Sequence, residues 1–423
     1  MKKFLKVLCI IAVFFIGITM VNAEAPSTPE FIDKSVYGTF DNLFFANGTP
    51  ITIESNGGAG ADINWAGGSM TVPVNTIVFG GGLEKSYTST SITMNGGQID
   101  TIFGGSIKGG HVGETNVTIN GGEIDWVHGA GASNLVTGLV GPETTGVANI
   151  TLNGGKKVTG GQGYNLVFGG GNGYTSVDEA YIIINGGTWD YVTGGGSNGH
   201  TGLAEIAVLG GTVDVIQTVN RGTMDSAAVA VGGGTVGTLY AGGETGDSGV
   251  TGTIDKVEVA ILGGTVTNLR IGKSGGTEMT ASDDVTLLYK AGTITNSIDL
   301  SKFETYEQIV LVTIDGELYF ASVGETLSAL DPADLLAIKT KAGHTFVKFI
   351  NKADGLDFGE DTPITDDIEL ETVFQMNSAT DNNDQKNPDT SDNIITIAAI
   401  ALVSVVGLVG SAILIKKTKK VNA

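Results

Sequence analysis

The chain has 423 residues, 66 of them glycine, with 7% aromatic residues, 16% charged residues and a formal net charge of −22. That much glycine without a collagen period points to very many turns, and an apolar fraction of 41% in periodic arrangement excludes a disordered polymer. Residues 1–23 and residues 391–423 each carry +3, so residues 24–390 hold −28. A body so acidic repels nucleic acid, and anionic wall polymers too unless cations intervene; the same acidity keeps a secreted protein soluble.

The N-terminus, MKKFLKVLCIIAVFFIGITMVNA, places Lys2, Lys3 and Lys6 ahead of an apolar run and ends in the small residues Val21-Asn22-Ala23. This is the layout of a secretory signal peptide over residues 1–23, cut between Ala23 and Glu24. Cys9 lies inside that run and is the only cysteine, so the mature fold uses no disulfide. Lys6 stands where a lipoprotein signal needs an aliphatic residue, which argues against lipidation. Residues 24–50 form an entry or cap segment.

From residue 51 to 300 a phrase typified by TINGGEIDWVHGAG recurs. Aligned on the second glycine of each pair, the anchors are Gly68, Gly97, Gly122, Gly155, Gly187, Gly211, Gly234, Gly264 and Gly292. A period in this range marks a solenoid, propeller or array. Five and three residues before the anchor stand aliphatic pairs such as Val117/Ile119 and Ile182/Ile184, which share one face of a strand. Two and five residues after it come Ile124/Val127 and Val213/Ile216; the offset of three breaks strand alternation and requires a bend. Each unit then reads as one coil of short strands with glycine corners, and stacked coils bury what a single coil cannot. A propeller needs longer units. The expected fold is an all-β solenoid of about nine coils. Asn95, Asn120, Asn153 and Asn185 precede successive glycine pairs and predict an amide ladder along the stack. In period and turn chemistry the segment resembles the β-helix repeats of bacterial surface proteins.

Glycine thins after Ser301, and alternation returns at Val310, Val312 and Ile314, then Leu318 and Phe320. Gly343-His344-Thr345-Phe346, Asp357-Phe358, Thr362-Pro363-Ile364-Thr365, Ile368 and Leu370 follow. On these residues the stretch 305–375 resembles the Listeria–Bacteroides repeat, which implies a small β-grasp-like module. His344, Phe349 and Phe374 stand where that family usually has tyrosine and tryptophans. Residues 376–390 read as a polar linker.

A second apolar run, Ile394 to Ile415, would span about 33 Å as a helix and so cross a bilayer. The basic tail, residues 416–423, fits a cytoplasmic stop. Just before the span stand Asn387, Pro388, Asp389, Thr390 and Ser391. Proline motif, apolar span and basic tail together resemble the sorting signal of Gram-positive cell-wall proteins. The resemblance implies cleavage by a sortase after Thr390 and attachment to peptidoglycan. Without cleavage the chain is a single-pass membrane protein.

Motifs of catalytic appearance are short. Gly195–Gly199 before His200 fits a nucleophile elbow, Gly246–Gly249 copies a serine-protease loop, and Gly272–Ser274 ends like a P-loop with Thr267 at its first glycine. None has the strand–turn–helix setting it requires. His111, His128, His200 and His344 form no ligand pair at helix or hairpin spacing. Three residues after the anchors stand Asp100, Asp125, Asp190 and Asp214. Coils in register bring Asp100 to Asp125 and Asp190 to Asp214, about 5 Å apart. Such pairs are solvated corners, a Ca²⁺ site, or the two carboxylates of a polysaccharide hydrolase or lyase. Arg221 and Arg270 are the only arginines, which weighs against the enzyme.

The expectation is a non-enzymatic, structural or adhesive protein of the bacterial surface, with no cofactor. A polysaccharide-active enzyme and a glycan- or protein-binding module are the alternatives. Host or bacterial ligands would meet the loops 131–147 and 193–203.

Overall fold

The computed structural model describes residues 23–33, 42–133, 143–159, 164–244, 252–279, 284–296, 298, 300–329 and 332–377. The apolar N-terminal run, the sorting motif Asn387–Ser391, the span Ile394–Ile415 and the basic tail lie outside them. Among the described residues no helix is long and apolar enough to cross a membrane. The fold is nearly all β, with one short α-helix, Pro332–Ile338, among those residues. The described residues divide into two compact units, one up to residue 306 and one from residue 307 to 377.

In the larger unit the chain alternates between two long parallel sheets. Sheet A stacks Asn42–Phe45, Thr76–Phe79, Gln98–Phe103, Glu123–His128, Leu166–Phe168, Thr188–Thr193, Thr212–Gln217, Thr235–Tyr240, Thr265–Arg270 and Thr293–Ile294. Sheet B stacks Ile51–Glu54, Tyr87–Met94, His111–Ile119, Glu143–Leu152, Thr175–Ile184, His200–Val208, Thr223–Val231, Thr253–Ile261 and Val285–Tyr289. Most repeats give one strand to sheet B, turn at the glycine pair and give the next strand to sheet A. The register keeps like over like: Val117, Ile150 and Ile182 pair in succession, as do Ile102, Val127 and Val167. The four aliphatic columns expected around each glycine pair are buried, and both sheets contribute them to one core. Each such side chain contributes about 1.5–3 kcal/mol by leaving water.

The glycine pair is required at the corner for two reasons. Gly122 has φ 95°, where an L side chain is strained, and Gly154 lies so close to the previous repeat that a Cβ would sit 2.4 Å from the Asn120 carbonyl oxygen. The expected first anchor, Gly68, departs from this pattern. It opens strand Gly68–Val72, which pairs antiparallel with Ala61–Trp65, and Gly67 supplies the positive φ of their hairpin turn. That hairpin continues antiparallel from Ile51–Glu54, and strand Glu30–Ile32 runs antiparallel on Asn42–Phe45. Reversed strands thus lie along the first strand of each parallel stack, where an open edge would invite pairing with another chain.

The amide ladder forms. Asn120, Asn153 and Asn185 each donate to the amide oxygen of the asparagine one repeat earlier, at 2.8 Å, and Asn95 donates to Glu54 at 2.7 Å. A second ladder ends the sheet A strands: Phe45, Phe79, Phe103, His128 and Phe168 stack ring on ring, with centroids 4.5–5.3 Å apart. A glycine follows each of the last four rings. Gly104 and Gly129 would carry a Cβ within 2.3 Å of the next coil's carbonyl oxygen and about 3 Å from Thr115 and Ala148 of sheet B. Small residues on both sides let the two sheets converge there.

In the smaller unit, strand Thr305–Ile314 pairs antiparallel with Glu317–Ser322 and parallel with Ile368–Met376. The latter pairs antiparallel with His344–Asn351, which pairs with Asp357–Phe358. Val312, Ile314, Leu327, Phe349, Ile364 and Leu370 form its core.

Candidate binding face on sheet A

The aspartate column lies at the start of sheet A. Register pairs on either side place Asp125 beside Asp100 and Asp190 beside Asp214. The carboxylates of Asp100, Asp125 and Asp190, however, are engaged within the protein. Asp125 Oδ1 accepts the Val158 amide at 3.2 Å, Asp190 Oδ2 accepts the Asn165 amide at 3.0 Å, and Asp100 accepts the Thr101 hydroxyl at 2.8 Å. Among the described residues no group of three or more His, Cys, Asp or Glu side chains is placed to hold a metal ion. A cation between Asp125 and its neighbours would compete with the amide already there.

What the aspartates hold is an insert. After most corners the chain passes at once into its sheet A strand, as from Gly122 to Glu123 or from Gly187 to Thr188. After Gly155 it first runs through residues 156–165 and only then enters Leu166–Phe168. Asp125 from the preceding repeat binds the start of this insert and Asp190 from the following repeat binds its end. Asn165 takes the place of an aspartate in the column; its amide oxygen accepts the Asp190 N–H at 2.6 Å and its amide nitrogen donates to the Thr188 carbonyl at 2.7 Å. Glu123 accepts the Thr159 amide at 2.9 Å and pairs with Lys156 at 3.1 Å. The Thr159 amide foremost, then Lys156 and Gln98, hold the Glu123 carboxyl down at about 2 against partial desolvation.

The insert places Tyr164 above the sheet, 58% exposed. Its ring meets Tyr191 edge-on at 5.8 Å, and the Lys157 ammonium lies 6.0 Å from its centroid. Tyr191 belongs to the outward column Trp126, Leu166, Tyr191 and Val215, all half-buried, whose members pair in succession. Trp126 also stacks on His128 and Phe168, at 6.0 and 6.1 Å.

The other sequence candidates stand apart. Ser197 donates to Asn172 at 3.1 Å and accepts the Gly173 amide, while His200 bonds Thr223 at 3.0 Å and lies 3.7 Å from Asp225. This serine is a turn staple rather than a nucleophile paired with His200. Gly246–Gly249 lies outside the described residues, as does most of the loop 131–147. His111 bonds Thr144, and His344 bonds the Ala342 carbonyl. His128 is fully buried in the ring stack, and burial drives its imidazole down to about 3, partly offset by the Gly170 backbone. It is therefore neutral.

Tyr164, Tyr191 and Trp126 were not legible as a site in the repeat pattern. One signal was available: Lys157 and Gly160 stand where other units carry aliphatic residues two and five places after the anchor. No family model, curated protein or solved structure matches the chain.

Proposed function

We propose that this is a structural or adhesive protein of a Gram-positive-type cell surface, without enzymatic activity. In this reading the two parallel sheets are the walls of a β-solenoid of about nine coils, and stacking gives it the form of a rod. The second unit is a β-grasp-like module of the Listeria–Bacteroides type. The C-terminal span positions Thr390 for a sortase, which joins the chain to peptidoglycan.

The observation that carries the reading is the continuous aliphatic core shared by the two sheets: the sequence repeats rungs rather than building one reactive cleft. The aspartates support it as well. The geometry of a polysaccharide hydrolase needs two carboxylates facing a substrate; here Asp125 and Asp190 fasten the insert to the sheet. Pro388 disfavours a helix at Asn387, which suits the extended segment that a transpeptidase takes as substrate.

Mass spectrometry of wall digests is expected to find a chain beginning at Glu24 and ending at Thr390 with a cell-wall peptide attached. Recovery only of chains reaching Ala423 in the membrane fraction would make the protein a single-span membrane protein. Recovery only from the cytoplasm would refute surface display.

A further inference from the structure

We propose that Tyr164, with the strip Trp126, Leu166, Tyr191 and Val215, binds a neutral polysaccharide laid along the direction in which the strands stack. The inference rests on the surface-display reading and names what the displayed face takes.

The insert is the first ground. Residues 156–159, 164 and 165 lie between Gly155 and the strand Leu166–Phe168, whereas the repeats at Gly97, Gly122, Gly187, Gly211, Gly234 and Gly264 run directly from glycine into strand. Asp125 and Glu123 hold the start of the insert from one side, and Asp190 holds its end at Asn165 from the other. The outcome of this fastening is an exposed tyrosine held against a second one. A loop positioned on a rigid scaffold is where binding residues concentrate.

The second ground is shape. Trp126 and Tyr191 are separated by one intervening strand, hence by about 9.6 Å along the stack. A linear sugar polymer crossing the strands meets an aromatic ring at every other strand and an aliphatic side chain between. The strip is one side chain wide, whereas a protein partner needs a broad patch of roughly 800 Å².

Chemistry supplies the third. A pyranose ring has apolar C–H faces and a girdle of hydroxyls. Tyrosine and tryptophan offer an apolar body with a polar tip, suited to such a wet contact. Asp190 accepts one amide and, as a carboxylate, has further lone pairs for hydroxyl donors. The net charge of −28 over residues 24–390 repels acidic polysaccharides and leaves neutral ones.

The test is affinity electrophoresis of the full-length protein in detergent, through native gels containing hydroxyethyl cellulose, galactomannan, laminarin or glycogen, with polygalacturonate as the anionic control. Retardation is expected in at least one neutral polymer and not in polygalacturonate. Tyr164→Ala is expected to weaken it by about tenfold, while Tyr164→Phe retains it because stacking survives. Tyr164 is exposed, so both variants keep the fold, which circular dichroism checks. No retardation by any neutral polymer, retardation by polygalacturonate alone, unchanged retardation in Tyr164→Ala, or equal loss in Tyr164→Phe would each overturn the proposal. Capture of a protein by the Tyr164 face without polysaccharide binding would do the same. These outcomes are separate from the wall-digest experiment: a wall-linked chain that binds no polysaccharide defeats this inference alone.

Discussion

Glu143 is the first residue of its sheet B strand and is completely buried. Its carboxyl receives the Thr145 hydroxyl at 3.0 Å and the Gly131 amide at 3.3 Å, and it lies against Gly105, whose Cβ would fall 2.6 Å from Oε1. Burial raises this carboxyl from 4.5 to about 8, against the opposing pull of those hydrogen bonds. A raised carboxyl binds its proton more tightly in the folded chain than in the unfolded one. Its contribution is therefore fully present below about pH 4.5 and is lost as pH rises towards about 8. At about 1.36 kcal/mol per pH unit, the full window is worth about 5 kcal/mol at most. Glu143→Gln keeps the shape and removes the titration. Relative to wild type, the variant is expected to gain little near pH 4.5 and several kcal/mol near pH 8. Hydrogen exchange of the strand Glu143–Leu152, followed at several pH values and corrected for the intrinsic rate, reads this locally. Parallel pH profiles for the two proteins would refute the reasoning, because every other titrating group is common to both.

Three further outcomes are expected. Ile184→Asp puts an unpaired charge at a position with no solvent exposure and should unfold its part of the stack at a cost of several kcal/mol, read as a lowered melting temperature. His128→Phe completes the ring stack and removes two buried ring nitrogens that make no hydrogen bond of good geometry. It should stabilise by about 1–3 kcal/mol and abolish the loss of stability that His128 causes as pH falls from about 6.5 towards about 3, measured by melting across that range. Asp190→Ala should speed exchange of the Asn165 amide, while Asp100→Ala leaves that amide unchanged; EDTA should leave the melting temperature of the wild type where it was.

Much of the repeat could be read directly because its cause is local. A pair such as Val117 and Ile119 must share a strand face, and a glycine pair recurring with them marks a backbone that L side chains cannot follow. The asparagine ladder was legible for the same reason: equal places in successive units become neighbours when units stack. Gly68 misled because an Ala-Gly-Gly run serves a hairpin as readily as a corner, and the strands on either side decide which. The repeat pattern does not mark the glycines after Phe103 and His128. Their requirement comes from the sheet opposite and from the next coil, through Thr115, Ala148 and Gly169.

The sequence by itself determined the all-β class, the rung with its aliphatic columns and amide ladder, and the acidity of the chain. Those follow from period, φ and charge, which belong to each residue and its near neighbours. Only the tertiary structure decided what the aspartates do. Asp125 meets the Val158 amide 33 residues ahead, and Asp190 meets Asn165 25 residues behind. Stacking alone would have set the carboxylates against one another. The insert gives Asp125 and Asp190 each a backbone N–H donor, and with it Tyr164 stands against Tyr191.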